Sequence, residues 1–511
     1  MITKNYSAIR FLVIISAILL LEFFCQTGFI SPLQLTAPSK MISTLYDLMH
    51  QDSFWFQSRK TIKNIIIAIV LASLLGFMIG LLLFRFPRLR RACEPIIASY
   101  YALPFFVLYP LAIVIVGMND FSIILMGFAY ALVAMITNTL SGLDRVPVVL
   151  IKTSKTFKLG KLKTALLIQL PAAAPYIFTG LKLVLGYGMA GVIGSEFILS
   201  DSGLGFSIAF AYEGFESEKM YGLLLFVILL VSILLTIVQF IEKKSKFTAG
   251  SVWAISTAKK ISSSGGALEK IIDGIIIVIT FYILWKILHY LVGSEALSSP
   301  METFDRAKIL FTSFKFWGHA QETFSALGVS LVIAILGGLT IGMVLGLNNA
   351  MGEIFAPMFV ALQATPKVTL YPIMLLFFGL GFSAKVAFGA IHGIIPMTLI
   401  TYNAIRSINP SLVRTSKVLR LKPSQTFFLI FIPATIPEIV TAMRLSFSIT
   451  FLGVMIGEMF ASVRGLGHLI MGGIEVNDVS MMISITVLIG IFAITINSML
   501  LALDNQLHRN N

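Results

Sequence analysis

Charge is the scarcest ingredient of this chain. Only 12% of its 511 residues are Asp, Glu, Lys or Arg, where a soluble globular protein carries about a quarter. Two cysteines, Cys25 and Cys93, are too few for a disulfide framework or a thiolate metal site. Six histidines are scattered with neither His-x-x-x-His nor His-Glu-x-x-His spacing, so no metal centre is expected. The phosphate-binding loop Gly-x-x-x-x-Gly-Lys-Ser/Thr is also missing; Gly160-Lys161-Leu162 has neither its spacing nor its hydroxyl. No nucleophile–base arrangement stands out. These absences argue against a soluble protein, a disulfide scaffold, a metalloenzyme and a nucleotide hydrolase.

What is present is hydrocarbon. Apolar residues make up 57% of the chain, in runs such as 65–84 that reach the roughly 20 residues a helix needs to cross a bilayer. These runs do not alternate, which argues against a transmembrane β-barrel. The expected fold is an all-α polytopic membrane protein. Twelve spans are predicted, near 8–24, 60–84, 94–116, 120–142, 174–197, 219–241, 269–291, 322–346, 353–378, 382–403, 437–460 and 479–503. The first lacks a small-x-small cleavage site, and Glu22-Phe-Phe-Cys25 is a poor lipobox, so it is read as a span rather than a signal peptide.

The net charge of +14 is confined to short loops. Arg85, Arg88, Arg90 and Arg91 lie between spans two and three, Arg145 and Lys152–Lys163 between four and five, and Lys243–Lys270 between six and seven. By the positive-inside bias these loops and the N-terminus face the cytoplasm, and no nucleic-acid partner is implied.

The chain repeats itself. At a constant offset of 262, residues 152–205 and 414–467 share 20 identities in 54 positions. Gly76, Gly80, Pro95, Pro104, Tyr109-Pro110 and Gly117 match Gly338, Gly342, Pro357, Pro366, Tyr371-Pro372 and Gly379 without a gap. The expected domains are repeats of six spans each, 1–241 and 269–511, joined by a basic, Ser/Gly-containing cytoplasmic linker, 242–268. An even number of spans makes the repeats parallel, with a pseudo-twofold along the membrane normal and a pathway between the halves.

Within the repeat, KTSKTFKLGKLKTALLIQLPAAAP (residues 152–175) and RTSKVLRLKPSQTFFLIFIPATIP (residues 414–437) stand out as basic segments directly before a span. Each reads as a short surface helix, with prolines able to stop it and turn the chain into the span. These residues resemble the cytoplasmic loop of permease subunits of bacterial binding-protein-dependent ABC importers. Aligned on Pro171 and Pro433, that family's Glu-Ala-Ala falls on Lys152-Thr153-Ser154 and Arg414-Thr415-Ser416, and its Gly on Lys158 and Arg420. The spacing and the Leu-Pro or Ile-Pro ending match; the Glu and the Gly do not. TPKVTLYPIMLLFFGLG (residues 365–381), its weaker copy ALPFFVLYPLAIVIVGM (residues 102–118), and the segments GVIGSEFILSDSGLG (residues 191–205) and GVMIGEMFASVRGLG (residues 453–467) are similar to the nitrate, sulfonate and taurine branch.

The resemblance implies a type I permease fold. It also implies coupling helices docking two separate ATP-binding subunits, carried here by Lys152, Thr153, Ser154, Lys155, Lys158, Leu159 and Pro171, and by Arg414, Thr415, Ser416, Lys417, Arg420, Leu421 and Pro433. ATP and Mg would be cofactors of those partners and not of this chain. A periplasmic or lipid-anchored solute-binding protein is the expected external partner, and the bacterial inner membrane the expected location.

Two readings stand for Glu196 and Glu458: they brace a gating or binding-protein contact loop with Gly203, Gly205, Gly465 and Gly467, or they are hydrated carboxylates at span ends. Lys182 and Arg444 read as snorkelling cations. Tyr101, Asn138, Gln363, Lys367, His392 and Asn403 are candidates for the substrate pathway. Lys367 suits an anionic solute, though a neighbouring helix terminus would equally hold it. The competing function, an ion-gradient-driven secondary transporter, requires mid-span carboxylates, and span centres here are nearly free of them.

Overall fold

The computed structural model describes residues 6–244 and 267–509. Its regular elements are helices, with no strand among the described residues. Among the described residues ten helices are long and apolar enough to cross a membrane. In chain order they are α1 (Tyr6–Gln26), α2 (Asp52–Arg85), α3 (Asp120–Asp144), α4 (Leu170–Leu199), α5 (Ser217–Lys244), α6 (Ala267–Val292), α7 (Phe314–Leu347), α8 (Phe382–Arg406), α9 (Ile432–Ala461) and α10 (Val479–Arg509). The bounds of α2, α3 and α4 recur in α7, α8 and α9 after the same shift of 262. The duplication seen in sequence is a duplication of structure.

The expected third spans, 94–116 and 353–378, are not single helices. Pro87–Ala102 is followed by a 3₁₀ turn, Phe105–Leu108, and then Tyr109–Val116. In the second half Asn349–Ala364, Lys367–Leu370 and Tyr371–Phe378 repeat this pattern, bent by 95°. The break falls at Pro104 and Pro366. A proline donates no amide hydrogen and pushes its predecessor into extended backbone, as seen at Thr365, with φ −71° and ψ 136°.

The broken segment of the first half connects the two ends of α3. At one end Arg90 pairs with Asp144, the last residue of α3, at 2.6 Å. At the other end Asp120, the first residue of α3, lies 3.0 Å from Lys60 near the start of α2. With the bent segment of the second half counted as one span, the ten long helices become eleven among the described residues, and Phe105–Val116 is a shorter apolar helix.

Glycine sets the closest helix contacts. A Cβ on Gly76 would lie 2.6 Å from the Cβ of Met135, and one on Gly80 2.7 Å from the Cβ of Thr139. Gly338 and Gly342 stand in the same relation to Met397, at 2.5 Å, and Thr401, at 2.6 Å. These small residues let α2 and α7 approach the backbones of α3 and α8, the usual way membrane helices gain packing when lipid supplies no hydrophobic drive.

The first helix of each half belongs to the shell of the other. Arg10 on α1 donates to the carbonyls of Glu353, at 2.7 Å, and Ile354, at 3.2 Å. Trp285 on α6 packs against the cluster of Leu297, Val479 and Ile483, as do Leu111, Val114 and Ile115 of the first half. Exposed Phe11, Leu12, Leu19, Phe281 and Leu284 then give both helices a face suited to lipid.

Candidate functional site

Three structures occupy the regions singled out in the sequence: a pair of short basic helices, a pair of loop clamps and a cavity between the halves.

The basic helices are Val148–Thr156 and Pro410–Val418, each nine residues long. Both end in the same way. The amide of Leu159 donates to Ser154 O at 2.9 Å and that of Lys158 to Lys155 O at 3.0 Å; Leu421 to Ser416 O and Arg420 to Lys417 O repeat this at 3.0 and 3.1 Å. This is the Schellman arrangement. It places Lys158 and Arg420 in left-handed backbone, with φ 52° and 51°. A glycine fits best there, which gives a physical reason for the glycine that similar permeases carry at this position.

Lys152, Thr153, Lys155 and Lys158, and likewise Arg414, Thr415, Lys417 and Arg420, are exposed. Ser154 and Ser416 turn inward and are buried, while Leu159 and Leu421 are half-buried. Phe157 and its counterpart Leu419 protrude, 73% and 63% exposed, so each basic face carries an uncovered apolar knob.

The prolines do not stop these helices, contrary to expectation. The stop is the Schellman turn; Pro171 and Pro433 lie in the first turns of α4 and α9, and Pro175 and Pro437 lie within them. A π-helical turn precedes each, at Ala165–Gln169 and Phe427–Phe431. Its wider i→i+5 bonding, as from the Leu170 amide to Ala165 O, takes up the register disturbed where proline lacks a donor.

At the far end of the bundle, Glu196 and Glu458 are fully buried rather than hydrated. Glu196 accepts from the Thr61 hydroxyl, at 2.8 and 3.0 Å, and from the Gly205 amide at 3.1 Å; Thr61 in turn accepts from the Leu204 amide at 2.7 Å. Glu458, Thr323, Leu466 and Gly467 reproduce this, with contacts of 2.8, 2.8 and 3.0 Å. Each carboxylate thus ties a Gly-Leu-Gly turn onto the preceding helix pair. Gly203 and Gly465 cross its face with φ 109° and 130°, and a Cβ there would lie 2.3 and 2.2 Å from the carboxylate carbon.

The two clamps differ in what surrounds them. The Gly203 amide donates to Gln57 Oε1, whereas the Gly465 amide donates to Nδ1 of His319 at 3.0 Å. Lys60 pairs with Asp120, and its counterpart Glu322 pairs with Lys385 at 3.0 Å, so the sign of charge at this position is inverted between α2 and α7. Lys385 is buried, also donates to Arg464 O at 2.9 Å, and stands 3.8 Å from Glu458. Asp201, in the first loop, is held below the usual aspartate range by the Ser202 hydroxyl donating to it at 2.6 Å and by nearby Lys60.

Between the halves is a cavity of about 30 Å³, room for a water or two by volume. Gln363, Lys367 and His392 line it, joined by Thr365, Phe106, Tyr130 and Tyr187, which the sequence reading did not select as pathway residues. Asn138 and Asn403 do not line it. Asn138 is buried between α3 and α4, donating to Ala134 O at 2.8 Å and abutting Gly180. The side chain of Tyr101 lies outside the described residues, as does most of the expected linker, 245–266. Lys182 does not snorkel: it is buried and pairs with Glu242 at 2.5 Å, while Asp504, the counterpart of Glu242, accepts from Thr441 at 2.7 Å, and Arg444 is half-buried.

Comparison with known proteins bears on this duplicated arrangement. The family model of the binding-protein-dependent transport system inner membrane component matches the chain twice, over residues 72–246 and 334–510. The formylaminopyrimidine transport permease protein ThiX of Halalkalibacterium halodurans is 27% identical over 187 residues, covering 36% of this chain and 74% of that protein. The putative aliphatic sulfonates transport permease protein SsuC of Bacillus subtilis is 26% identical over 200 residues, 39% of this chain and 72% of its own. The bicarbonate transport system permease protein CmpB of Synechococcus elongatus is 25% identical over 257 residues, covering 47% of this chain and 91% of that protein. Each relative corresponds to less than half of this chain, as a single permease domain would. The chain therefore belongs to the inner membrane components of binding-protein-dependent transport systems, as a multi-pass permease with two copies of the family's domain fused in one polypeptide.

Proposed function

We propose that this chain is the whole transmembrane unit of an ATP-driven importer for a small anionic solute delivered by a binding protein. The observation that carries the reading is the pair of exposed basic helices, Val148–Thr156 and Pro410–Val418, built alike and closed by the same Schellman turn. A short, stiff helix leading directly into a spanning helix transmits a rigid-body displacement that a loop would absorb. Its lysines and arginines, with Phe157 or Leu419 between them, suit an acidic groove with an apolar floor.

Two such helices call for two ATP-binding subunits, which would carry ATP and Mg. One copy of this chain and one binding protein would complete the complex. The basic end of the bundle would face the cytoplasm of a bacterial cell, with the N-terminus on that side. The repeats would be 1–241 and 269–511, and the clamped Gly-Leu-Gly turns at the opposite end would meet the binding protein. Relatives named for sulfonates and bicarbonate, and Lys367 in the axial cavity, support an anion as the cargo.

Co-purification of an ATP-binding subunit with the intact chain tests this. The wild type should retain it, and reversing Lys155, Lys158, Lys417 and Arg420 to Glu should release it. A wild-type chain that retains none in gentle detergent would remove the motor from the reading.

A further inference from the structure

The axial cavity is where the two repeats have diverged in chemistry. Eight of its twelve lining residues form counterpart pairs separated by 262 residues: Phe106 with Val368, Tyr130 with His392, Tyr187 with Ile449 and Ala190 with Leu452. Equivalent residues of both halves therefore meet in one space, as they must at a pseudo-twofold axis. Two identical halves would give that space two identical walls. Here the first half supplies aromatic rings, and the second supplies Gln363, Thr365, Lys367 and His392 beside the aliphatic Val368, Ile449 and Leu452.

The aromatic wall is pre-assembled. Phe105 stacks on Tyr130 with centroids 5.3 Å apart and planes 12° apart, and Tyr130 meets Tyr187 at 4.9 Å. The counterpart of Phe105 is Lys367, so the position that braces the aromatic wall in one half is a cation in the other. Lys367 makes no ion pair among the described residues, and its Nζ reaches only the carbonyl of Gln363, at 3.4 Å. Gln363 Oε1, on the same wall, has no protein donor. The Nδ1 of His392 lies 2.9 Å from Phe388 O, so it carries the proton and a neutral ring keeps Nε2 as an acceptor.

We propose that this cavity is the membrane station of the transported solute, and that it selects an organic anion with one charged head and a flat apolar body. Lys367 takes the head, and the rings of Tyr130, Tyr187 and Phe106 take the body. A bare inorganic oxyanion is the poorer fit. It would lose its hydration on all sides and regain charged donors on one only, leaving its other oxygens against aromatic faces. A neutral aromatic is also disfavoured, because it would cover the Lys367 ammonium without pairing it. With about 30 Å³ of space in the present closed form, the halves must part before either wall is filled. The inference rests on the importer reading for its direction of transport, while the site itself rests on the cavity.

The test is binding to the full chain in lipid nanodiscs, with benzenesulfonate, methanesulfonate, nitrate and benzyl alcohol as probes. Benzenesulfonate should bind at least about tenfold more tightly than the other three, the difference a ring in an apolar pocket supplies. Lys367→Met should lower its affinity by about tenfold or more, and Lys367→Arg should restore most of it. Tyr187→Leu should weaken benzenesulfonate and leave methanesulfonate unchanged, a split that general misfolding would not give. Equal affinity for nitrate and benzenesulfonate, no loss in Lys367→Met, or no binding of any probe would overturn the proposal. An ATP-binding subunit that co-purifies with a chain blind to all four probes would leave the importer reading intact and remove this site. Selective benzenesulfonate binding without an ATP-binding subunit would do the reverse.

Discussion

The carboxylate of Glu196 and the amide of Gly205 are joined by a 3.1 Å hydrogen bond, and Glu458 and Gly467 are joined by one of 3.0 Å. The carboxylate is buried, and the turn wraps it so closely that Gly203 and Gly465 have no room for a side chain. Gly203→Ala and Gly465→Ala should therefore each cost about 2 kcal/mol or more, from a left-handed backbone that disfavours Cβ and a clash with the carboxylate. Glu196→Ala would leave the Gly205 amide and the Thr61 hydroxyl without their acceptor, at about 1–3 kcal/mol. Thermal unfolding in nanodiscs reads all three, and unchanged midpoints would show that the clamp is not structural.

The clamp's hydrogen-bond acceptor differs between halves: Gln57 in the first, His319 in the second. A protonated Nδ1 cannot accept from the Gly465 amide, so this contact requires the tautomer with the proton on Nε2. His319→Gln should restore the first half's chemistry and keep transport near wild type, whereas His319→Leu leaves a donor unpaired and should reduce it. Uptake into proteoliposomes containing the complete complex distinguishes the two. Equal loss in both variants would mean that the ring's shape matters more than its acceptor.

Inversion of charge between halves leads to unequal sensitivity. Lys60 keeps about a quarter of its side chain exposed, and Lys385 keeps 1%. Lys60→Ala should cost no more than about 1 kcal/mol, as partly solvated pairs do. Lys385→Ala leaves Glu322 and the buried Glu458 without their cation and should cost about 3–5 kcal/mol. Unfolding midpoints that fall by the same amount would contradict this ranking.

Much of this architecture could be read from residues. The offset of 262 locates both repeats, and of the glycines that match without a gap, Gly76, Gly80, Gly338 and Gly342 are those on which α2 and α7 pack. Other features were hidden for identifiable reasons. The third spans look continuous because hydropathy does not sense direction, and Pro104 and Pro366 bend an apolar run without interrupting it. Pro171 and Pro433 look like helix stops in sequence because a π turn leaves no compositional trace. Lys367 and His392 drew notice as polar groups in greasy spans, but Tyr130 and Tyr187 resemble any other aromatic residue in a membrane helix. Only their position opposite the polar wall gives them meaning.

The Schellman turns make a prediction about backbone rather than charge. An L-residue in left-handed conformation costs about 1–2 kcal/mol relative to right-handed backbone, and glycine escapes most of that cost. Lys158→Gly and Arg420→Gly should slow amide hydrogen exchange across the preceding helix, and Lys158→Val should speed it, since a β-branched residue is least tolerated there. Faster exchange in the glycine variants would mean that packing of the lysine stem outweighs the backbone term.

Lys182 and Glu242 sit 60 positions apart in sequence and form a 2.5 Å pair with both side chains about a tenth exposed. The pair ties the end of α5 to α4 one turn after Thr179 and two turns after Pro175, close to where the basic segment leads into the span. Truncating either partner strands the other, at about 3–5 kcal/mol, while Lys182→Glu combined with Glu242→Lys keeps opposite signs in the same place. The double reversal should recover more than half of the midpoint lost in each single reversal. The gain should persist at high salt, because a buried pair is poorly screened. If the double variant melts no higher than the singles, the two groups are held by separate neighbours, and α5 is anchored to α4 by packing rather than by charge.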